Sequence, residues 1–209
     1  MILSSLRKTI SRLTLIHPLM LRMMPARRNF PIVMINSMPS VQQNKIFVMN
    51  HCNVHDVPIA CEVIREHFYV LVGKQKLELI DRIFFLLNGV VYIDRKNKLS
   101  RKYGFEKMLE LLKEGHNLLI YPEGTWNMTS SKPMLPMNWG VIELSRSAGV
   151  PIVPLVVEYH MNCCNVKFGE AIYIGKEMDK ETGIRRLEEV MATLRWDIWE
   201  LFPVGEMRK

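Results

Sequence analysis

Two short polar segments of this sequence contain side chains that could carry out acid–base chemistry. Residues 50–56 read Asn-His-Cys-Asn-Val-His-Asp, with His51 five residues before Asp56. A histidine held by a carboxylate can take a proton from a hydroxyl group. Residues 121–125 read Tyr-Pro-Glu-Gly-Thr, where glycine permits a sharp turn beside Glu123. These residues predict base-assisted attack by a hydroxyl group, with His51 as the base and Asp56 as the residue that orients it.

Other interpretations of the first segment stay open at this stage. With six histidines in the chain, a match to this spacing arises by chance in roughly one sequence in three. Asp56 is also followed by Val57-Pro58, which is typical of a helix start. A metal site formed by His51, Cys52, His55 and Asp56 is disfavoured, because no second Cys/His cluster completes it. Cys52 is a competent nucleophile in principle.

The elements that must position these residues alternate along the chain. Strands are predicted at 45–50, 68–72, 90–93, 117–121, 152–157 and 166–174, and helices at 57–67, 77–87, 100–114 and 137–148. A last helix is predicted from an apolar stripe between Ile184 and Leu201. The alternation predicts a single α/β domain with a mostly parallel sheet flanked by helices. Because sites in such sheets lie at the carboxyl ends of strands, His51 and Glu123 are expected at the same edge.

Four blocks occur in order along the chain: residues 50–56, 89–95, 121–125 and 150–154. Over residues 45–157 the sequence resembles the glycerolipid and lysophospholipid acyltransferase family. The resemblance implies O-acyl transfer from an acyl thioester to a hydroxyl of a glycerolipid-like acceptor, without an acyl-enzyme. It implies acyl-CoA or acyl-carrier protein as co-substrate and a lysolipid as acceptor, and we expect neither a cofactor nor a metal.

The acceptor-binding residues expected from these blocks are polar, cationic or aromatic. They are Lys74, Arg95, Glu123, Gly124, Thr125 and Trp126. The fourth block is expected to form an apolar wall near the acyl chain, from Val150, Pro151, Ile152 and Pro154. Trp126 stands where the family usually has arginine, which removes a cation suited to a phosphate monoester. We therefore expect an uncharged or phosphodiester lysolipid to be a better acceptor than lysophosphatidic acid.

The excess positive charge belongs to the N-terminal segment. Residues 1–55 hold seven of the 28 basic residues and no acidic residue, so the rest of the chain is balanced with 21 of each. Apolar residues recur at helical spacing in residues 1–24, beside Arg7, Lys8 and Arg12. This pattern is typical of a helix lying in a membrane interface. A helix packed on the domain and a mitochondrial-type presequence are the alternatives.

These features predict a membrane-associating segment at residues 1–40 and an acyltransferase domain at 41–209. The sequence contains no run of 18 apolar residues, so no membrane-spanning helix is predicted. The expected location is therefore the cytoplasmic face of a membrane, as a peripheral or monotopic protein on a phospholipid surface. Nucleic-acid binding is disfavoured, because the basic segment is apolar-striped and no recognition motif occurs.

Composition and cysteine usage limit the remaining possibilities. With 48% hydrophobic and 23% charged residues, the chain is neither a disordered nor a polytopic membrane protein. The four cysteines are expected to be free thiols in a reducing cytosol. The alternative functions are a thioesterase or transacylase that uses the same two residues, and a non-catalytic lipid-binding module.

Overall fold

The computed structural model describes residues 30–74, 82–83, 85, 89–129, 131–160 and 162–202. In these ranges seven strands form one sheet in the order β1-β7-β6-β2-β5-β3-β4. The strands are β1 Ile32–Met34, β2 Ile46–Met49, β3 Phe68–Gly73, β4 Val90–Ile93, β5 Asn117–Ile120, β6 Ile152–His160 and β7 Cys163–Phe168. All neighbours pair in parallel except β6 and β7. The predicted α/β domain with a mostly parallel sheet is confirmed.

Four helices accompany the sheet in the same ranges. They are α1 Asp56–Val63, α2 Lys98–Lys113, α3 Gly140–Ala148 and α4 Lys180–Trp199. The Asn97 side chain caps α2 by accepting N–H groups of the first turn, and Asp179 does the same for α4. Helix α3 ends at Gly149, whose φ of 68° is the left-handed conformation that glycine adopts without strain.

Helices on both faces explain why the central strands are continuously apolar. Every residue of β2 is buried, and its side chains alternate between two clusters. Phe47 packs with Phe68 and the core of one face, whereas Ile46 packs with the α2, α3 and α4 side of the sheet. Such double burial is expected for strands of a parallel sheet covered on both faces.

Several predicted boundaries differ from the structure. The helix predicted at 57–67 ends at Val63, and the helix predicted from residue 137 begins at Gly140. The strand predicted at 152–157 continues to His160. The strand predicted at 166–174 is instead β7, after which only an isolated bridge joins Ile172 to Ile152.

Two further differences concern the ends of the described chain. Strand β1 was not predicted; it is three residues long and pairs with β7 at the sheet edge. Leu201 lies beyond the end of α4 and is exposed. In the predicted helix 77–87 the structure describes residues 82, 83 and 85, which are helical. The predicted amphipathic segment 1–24 lies outside the described residues, and the boundary at residue 40 stays a prediction.

The sheet order brings three chain segments to one edge. Strand β2 lies between β5 and β6, and all three run parallel. Their carboxyl ends therefore place His51, Glu123 and Tyr159 side by side. The buried Asn50 amide accepts the Val157 N–H at 2.8 Å and donates to the Val157 carbonyl at 2.9 Å, which ties the end of β2 to β6. None of the helices in the described ranges is both long and apolar enough to cross a membrane.

Candidate active site

His51 and Asp56 form a hydrogen-bonded pair just beyond the end of β2. The distance between His51 Nδ1 and Asp56 Oδ2 is 2.7 Å. The Asp56 side chain is fully buried, whereas the His51 side chain is 22% exposed. A buried carboxylate beside one ring nitrogen holds the proton on that nitrogen and leaves the other free to accept one. The pair predicted from the sequence is therefore brought together in the geometry of a general base and its orienting group.

The Asp56 carboxylate is held by donors on every side. Its Oδ2 also accepts the backbone N–H groups of Cys52 at 2.7 Å and Asn53 at 2.9 Å. Its Oδ1 accepts the hydroxyl of Tyr159 at 2.6 Å. The helix N-cap is His55, whose side chain makes no capping bond. Asp56 thus bonds back into the 51–53 loop, and the alternative in which it caps the helix is not what the structure shows.

The remaining nitrogen of His51 faces an aromatic side chain. The Trp126 indole N–H donates to His51 Nε2 at 2.6 Å, with the two rings nearly perpendicular at 87°. Because an indole nitrogen can only donate, Nε2 must carry a lone pair here, and the proton must be on Nδ1. On another side the Tyr121 ring lies 4.5 Å from the imidazole, centroid to centroid. His51 is thus in the tautomer that a general base requires.

Glu123 has both carboxylate oxygens bound to backbone groups. Oε1 accepts the His51 N–H at 3.2 Å, and Oε2 accepts the Leu135 N–H at 2.8 Å. The side chain is buried, and this burial raises the pKa of the Glu123 carboxyl. Glu123 therefore joins the ends of β2 and β5 to the loop before α3. Its expected part in acceptor binding stays a prediction.

The Arg95 guanidinium lies over the turn at Gly124. A Cβ placed on Gly124 would come within 3.0 Å of Arg95 Nη1 and 3.3 Å of Asn138 Nδ2. Gly73, at the end of β3, approaches the same guanidinium. Gly124 also has a φ of 70°, so a side chain there is strained as well as crowded. Glycine at this turn allows a cation to lie directly on the backbone beside the 51–56 loop.

The other expected acceptor residues lie at the same edge. Lys74 follows β3, its N–H donates to the Ile93 carbonyl, and its side chain is exposed. Thr125 is exposed between Gly124 and Trp126. The structure thus brings Lys74, Arg95 and residues 123–126 to the strand ends that carry His51.

The block at residues 150–154 is buried, but it lies at the opposite ends of the strands from His51. Ile152 pairs with Ile46 at the start of β2, whereas His51 follows the end of that strand. Val150 and Pro151 precede Ile152, and Pro154 pairs with Val48 inside the sheet. The structure does not bring these four residues to His51, and their role as an acyl-chain wall stays a prediction.

Cys52 lies in the loop but is not poised as a nucleophile. Burial, followed by the neighbouring Asp56 carboxylate, raises the pKa of the Cys52 thiol, whereas reactive cysteines need a lowered one. Within the described ranges no group of three or more His, Cys, Asp or Glu side chains is placed to hold a metal ion.

Sequence reasoning missed the partners that fix the pair. Tyr159 was not identified, because the strand that carries it was predicted to end two residues earlier. Tyr121 was treated only as part of its block, and Asn50 was given no role. A polar side chain at the end of a strand neighbouring β2 is the signal that could have identified Tyr159, and it requires the sheet order.

Comparison with known proteins identifies the family of this chain. Residues 28–158, which include the 50–56 and 121–125 segments, match the family model described as Acyltransferase. The chain belongs to the Acyltransferase family. The resemblance stated from the sequence blocks is thereby confirmed.

Individual relatives agree with the family match. The chain is 29% identical over 126 residues to the 1-acyl-sn-glycerol-3-phosphate acyltransferase of Escherichia coli, a span of 59% of this chain and 50% of that protein. It is 28% identical over 127 residues to the protein of the same name from Saccharomyces cerevisiae, covering 59% and 42%. The chain thus spans about half the length of the curated relatives it matches.

A solved structure shares the fold. The crystal structure of the 1-acyl-sn-glycerophosphate (LPA) acyltransferase PlsC from Thermotoga maritima superposes with a TM-score of 0.69 at 19% identity. The match covers 90% of this chain and 79% of that one. At this identity the likeness concerns the architecture of the sheet and helices.

Proposed function

We propose that this acyltransferase-family chain moves a fatty acyl group from an acyl thioester to a hydroxyl of a lysophospholipid or related glycerolipid acceptor. His51 is the general base and Asp56 the residue that orients it. One observation carries the proposal: a fully buried carboxylate holds His51 Nδ1, so that Nε2 presents its lone pair at the carboxyl edge of a parallel sheet.

The reaction needs a base because a lipid hydroxyl is a poor nucleophile at neutral pH. As the acceptor oxygen attacks the thioester carbonyl, its proton passes to His51 Nε2. The imidazolium that forms is stabilised by Asp56 through the 2.7 Å contact. The C–S bond then breaks, and the proton moves on to the leaving thiolate. The acyl group thus passes directly from the donor to the acceptor without an acyl-enzyme. The raised pKa of the Cys52 thiol agrees with this mechanism.

The acceptor headgroup is proposed to lie against the Gly124 turn. The exposed Arg95 guanidinium covers this turn and can bind one phosphate group, and the Thr125 hydroxyl follows directly. The relatives are named for a phosphate-monoester acceptor, which carries close to two charges. In this chain Trp126 contributes no cation, so we still expect a phosphodiester or uncharged lysolipid to be preferred over lysophosphatidic acid.

The donor and the location are also proposals. Acyl-CoA or acyl-carrier protein supplies the thioester, and the lipid acceptor is taken from a phospholipid surface. The basic residues of segment 1–24 would hold the protein peripherally on the cytoplasmic face of that surface.

The proposed function is tested by measuring transfer from radiolabelled acyl-CoA and acyl-carrier protein to a panel of lysolipids. His51→Ala is expected to lower the transfer rate by ~10²–10⁴-fold, the usual effect of losing a general base. His55→Ala is the matched control, since His55 lies in the same loop and contacts Phe30 rather than Asp56. Equal transfer by the wild type and a folded His51→Ala variant would remove the mechanism.

A further inference from the structure

The Trp126 side chain occupies the position that a reacting hydroxyl must take. General-base catalysis requires the attacking O–H to lie within hydrogen-bond distance of Nε2. In this structure the indole N–H of Trp126 is the donor at that nitrogen, at 2.6 Å. An indole N–H cannot attack a carbonyl in place of a hydroxyl. The lone pair of the base is therefore bound to an unreactive donor.

The backbone beside Trp126 is anchored, which keeps the indole near His51. The Asn127 N–H donates to the His51 carbonyl at 2.6 Å. The Asn127 side chain is 2% exposed and holds the loop by accepting from Thr129 and donating to the Lys132 carbonyl. Trp126 itself is 43% exposed. The indole can therefore swing towards solvent by side-chain rotation, while its backbone stays attached to the base.

We infer that Trp126 is a removable cap on the general base, which keeps water from being activated against a bound thioester until an acceptor displaces the indole. The inference rests on the proposed function and concerns the choice between transfer and hydrolysis. A lysolipid brings binding contacts along its headgroup and chain that can drive the indole away, whereas a water molecule has only its own hydrogen bonds.

The reaction that the cap prevents is hydrolysis of the acyl thioester by water. Without the cap, water donates a proton to His51 Nε2 while its oxygen bonds to the thioester carbonyl carbon. The C–S bond breaks, and the proton returns from the imidazolium to the thiolate. The products are a free fatty acid and the thiol of the donor. His51 can thus serve as the base in either reaction. The group that donates a hydrogen bond to Nε2, a lipid hydroxyl or a water molecule, decides which reaction occurs.

The first experiment measures access to His51 directly, without any substrate. Diethyl pyrocarbonate modifies an imidazole nitrogen that has a free lone pair, and the modification is quantified by mass spectrometry. Trypsin releases residues 46–65, in which His55 serves as an internal reference. Trp126→Phe, which removes the N–H, is expected to raise the His51-to-His55 labelling ratio about fivefold, the factor for one net hydrogen bond.

Two further variants make the labelling result decisive. Trp126→Ala removes the ring as well, so residual shielding by the phenylalanine ring cannot hide an effect. Trp196→Phe is the matched control, because the Trp196 indole N–H donates to Glu200, the residue that follows α4, and not to His51. An unchanged labelling ratio in both Trp126 variants, or an equal rise in Trp196→Phe, overturns the cap.

The second experiment measures hydrolysis of radiolabelled palmitoyl-CoA and palmitoyl-acyl-carrier protein by the full chain without acceptor. Trp126→Phe and Trp126→Ala are expected to release free fatty acid about fivefold faster than wild type, or more. The ratio of transfer to hydrolysis should fall in both variants when acceptor is limiting. Unchanged hydrolysis despite increased labelling overturns the role, and so does hydrolysis that persists when His51→Ala is added to Trp126→Phe.

The two proposals fail in different ways. If wild type transfers no acyl group to any acceptor in the panel, the proposed function fails, and the labelling ratio still decides whether Trp126 covers His51. If wild type transfers normally, but the Trp126 variants change neither the labelling ratio nor the rate of hydrolysis, only the inference of a cap is wrong.

Discussion

Replacing Asp56 by asparagine tests how the carboxylate acts on His51. An asparagine can place either its oxygen or its NH₂ group where Oδ2 now lies. The Oδ2 position is surrounded by three N–H donors, from His51, Cys52 and Asn53. An NH₂ group there would face donors only, so the amide oxygen must take this position. The NH₂ group then meets the Tyr159 hydroxyl, which can rotate to accept it.

This orientation determines the size of the expected effect. His51 keeps its Nδ1 proton bonded to the amide oxygen, so the tautomer of a general base is retained. What is lost is the negative charge that stabilises the imidazolium in the transition state. Opposite charges about 4 Å apart interact by ~4 kcal/mol at an effective dielectric constant of about 20. With ~1 kcal/mol recovered by the neutral hydrogen bond, we expect transfer to fall roughly 10²–10³-fold.

The assay is the initial rate of radiolabelled acyl transfer at saturating donor, compared among wild type, Asp56→Asn and His51→Ala. Thermal unfolding of each variant checks that the fold is intact. Tyr159→Phe is the companion variant: it removes one donor to Oδ1 but leaves the charge, so its loss should stay below about tenfold.

Two results would refute this reasoning. A loss below about tenfold in Asp56→Asn would mean that the carboxylate charge does not stabilise the reacting histidine. A loss of roughly 10⁴-fold or more would mean that the tautomer had been lost, contrary to the orientation that the surrounding N–H groups impose.

Three further predictions follow from the sequence and the site. Deleting residues 1–24 should release the protein from anionic liposomes, since Arg7, Lys8 and Arg12 at ~1 kcal/mol each amount to roughly a hundredfold in binding at low salt. In a competition assay with equal acceptors, a phosphodiester lysolipid should be used in preference to lysophosphatidic acid, and Trp126→Arg should shift that ratio towards lysophosphatidic acid. Cys52→Ala should cost less than about tenfold in transfer rate, because the Asp56 contact uses the backbone N–H of residue 52.

Each of these has a contrary outcome. Equal liposome binding by the full and truncated chains would rule out the anchor. A clear preference of wild type for lysophosphatidic acid would show that Arg95 and Lys74 supply enough positive charge without position 126. A covalent acyl-enzyme trapped on Cys52 would replace the direct mechanism by a two-step one.

The central strands and the His51–Asp56 pair could be predicted from the sequence because their signals are local. Strand β2 is a short apolar run that ends at a polar loop. His51 and Asp56 follow this strand and are only five positions apart in the sequence. Likewise Gly149 ends α3 through a backbone conformation that glycine adopts most readily. Such features depend on neighbouring residues alone.

The remaining features depend on register between distant segments, which local patterns do not contain. Strand β1 is too short to predict and exists because β7 supplies its hydrogen bonds. Tyr159 reaches Asp56 only because β6 lies beside β2. The block at 150–154 was expected near the acyl chain, yet its position at the start of β6 follows from the direction in which that strand crosses the sheet.

The loop between β5 and α3, residues 121–139, is attached both to the catalytic pair and to α4. The buried Arg195, which is paired with Glu158, donates to the Pro133 carbonyl at 2.6 Å. Glu188 of α4 accepts the Met137 N–H. The first part of the loop bonds His51 through Glu123, Trp126 and the Asn127 N–H.

Residues 131–139 bond to α4 rather than directly to His51, which makes this part of the loop exchangeable for protein engineering. A substitute for residues 131–139 could bring different acceptor-binding side chains to the same base, provided that it keeps a carbonyl for Arg195 and N–H groups for Glu123 and Glu188. Lysine at 195 is not equivalent, because Arg195 reaches the Glu158 carboxylate through Nε and the Pro133 carbonyl through Nη1, two separate nitrogens of one planar group. The practical consequence is that libraries for new acceptor specificity should vary the side chains of residues 131–139 and leave α4 untouched.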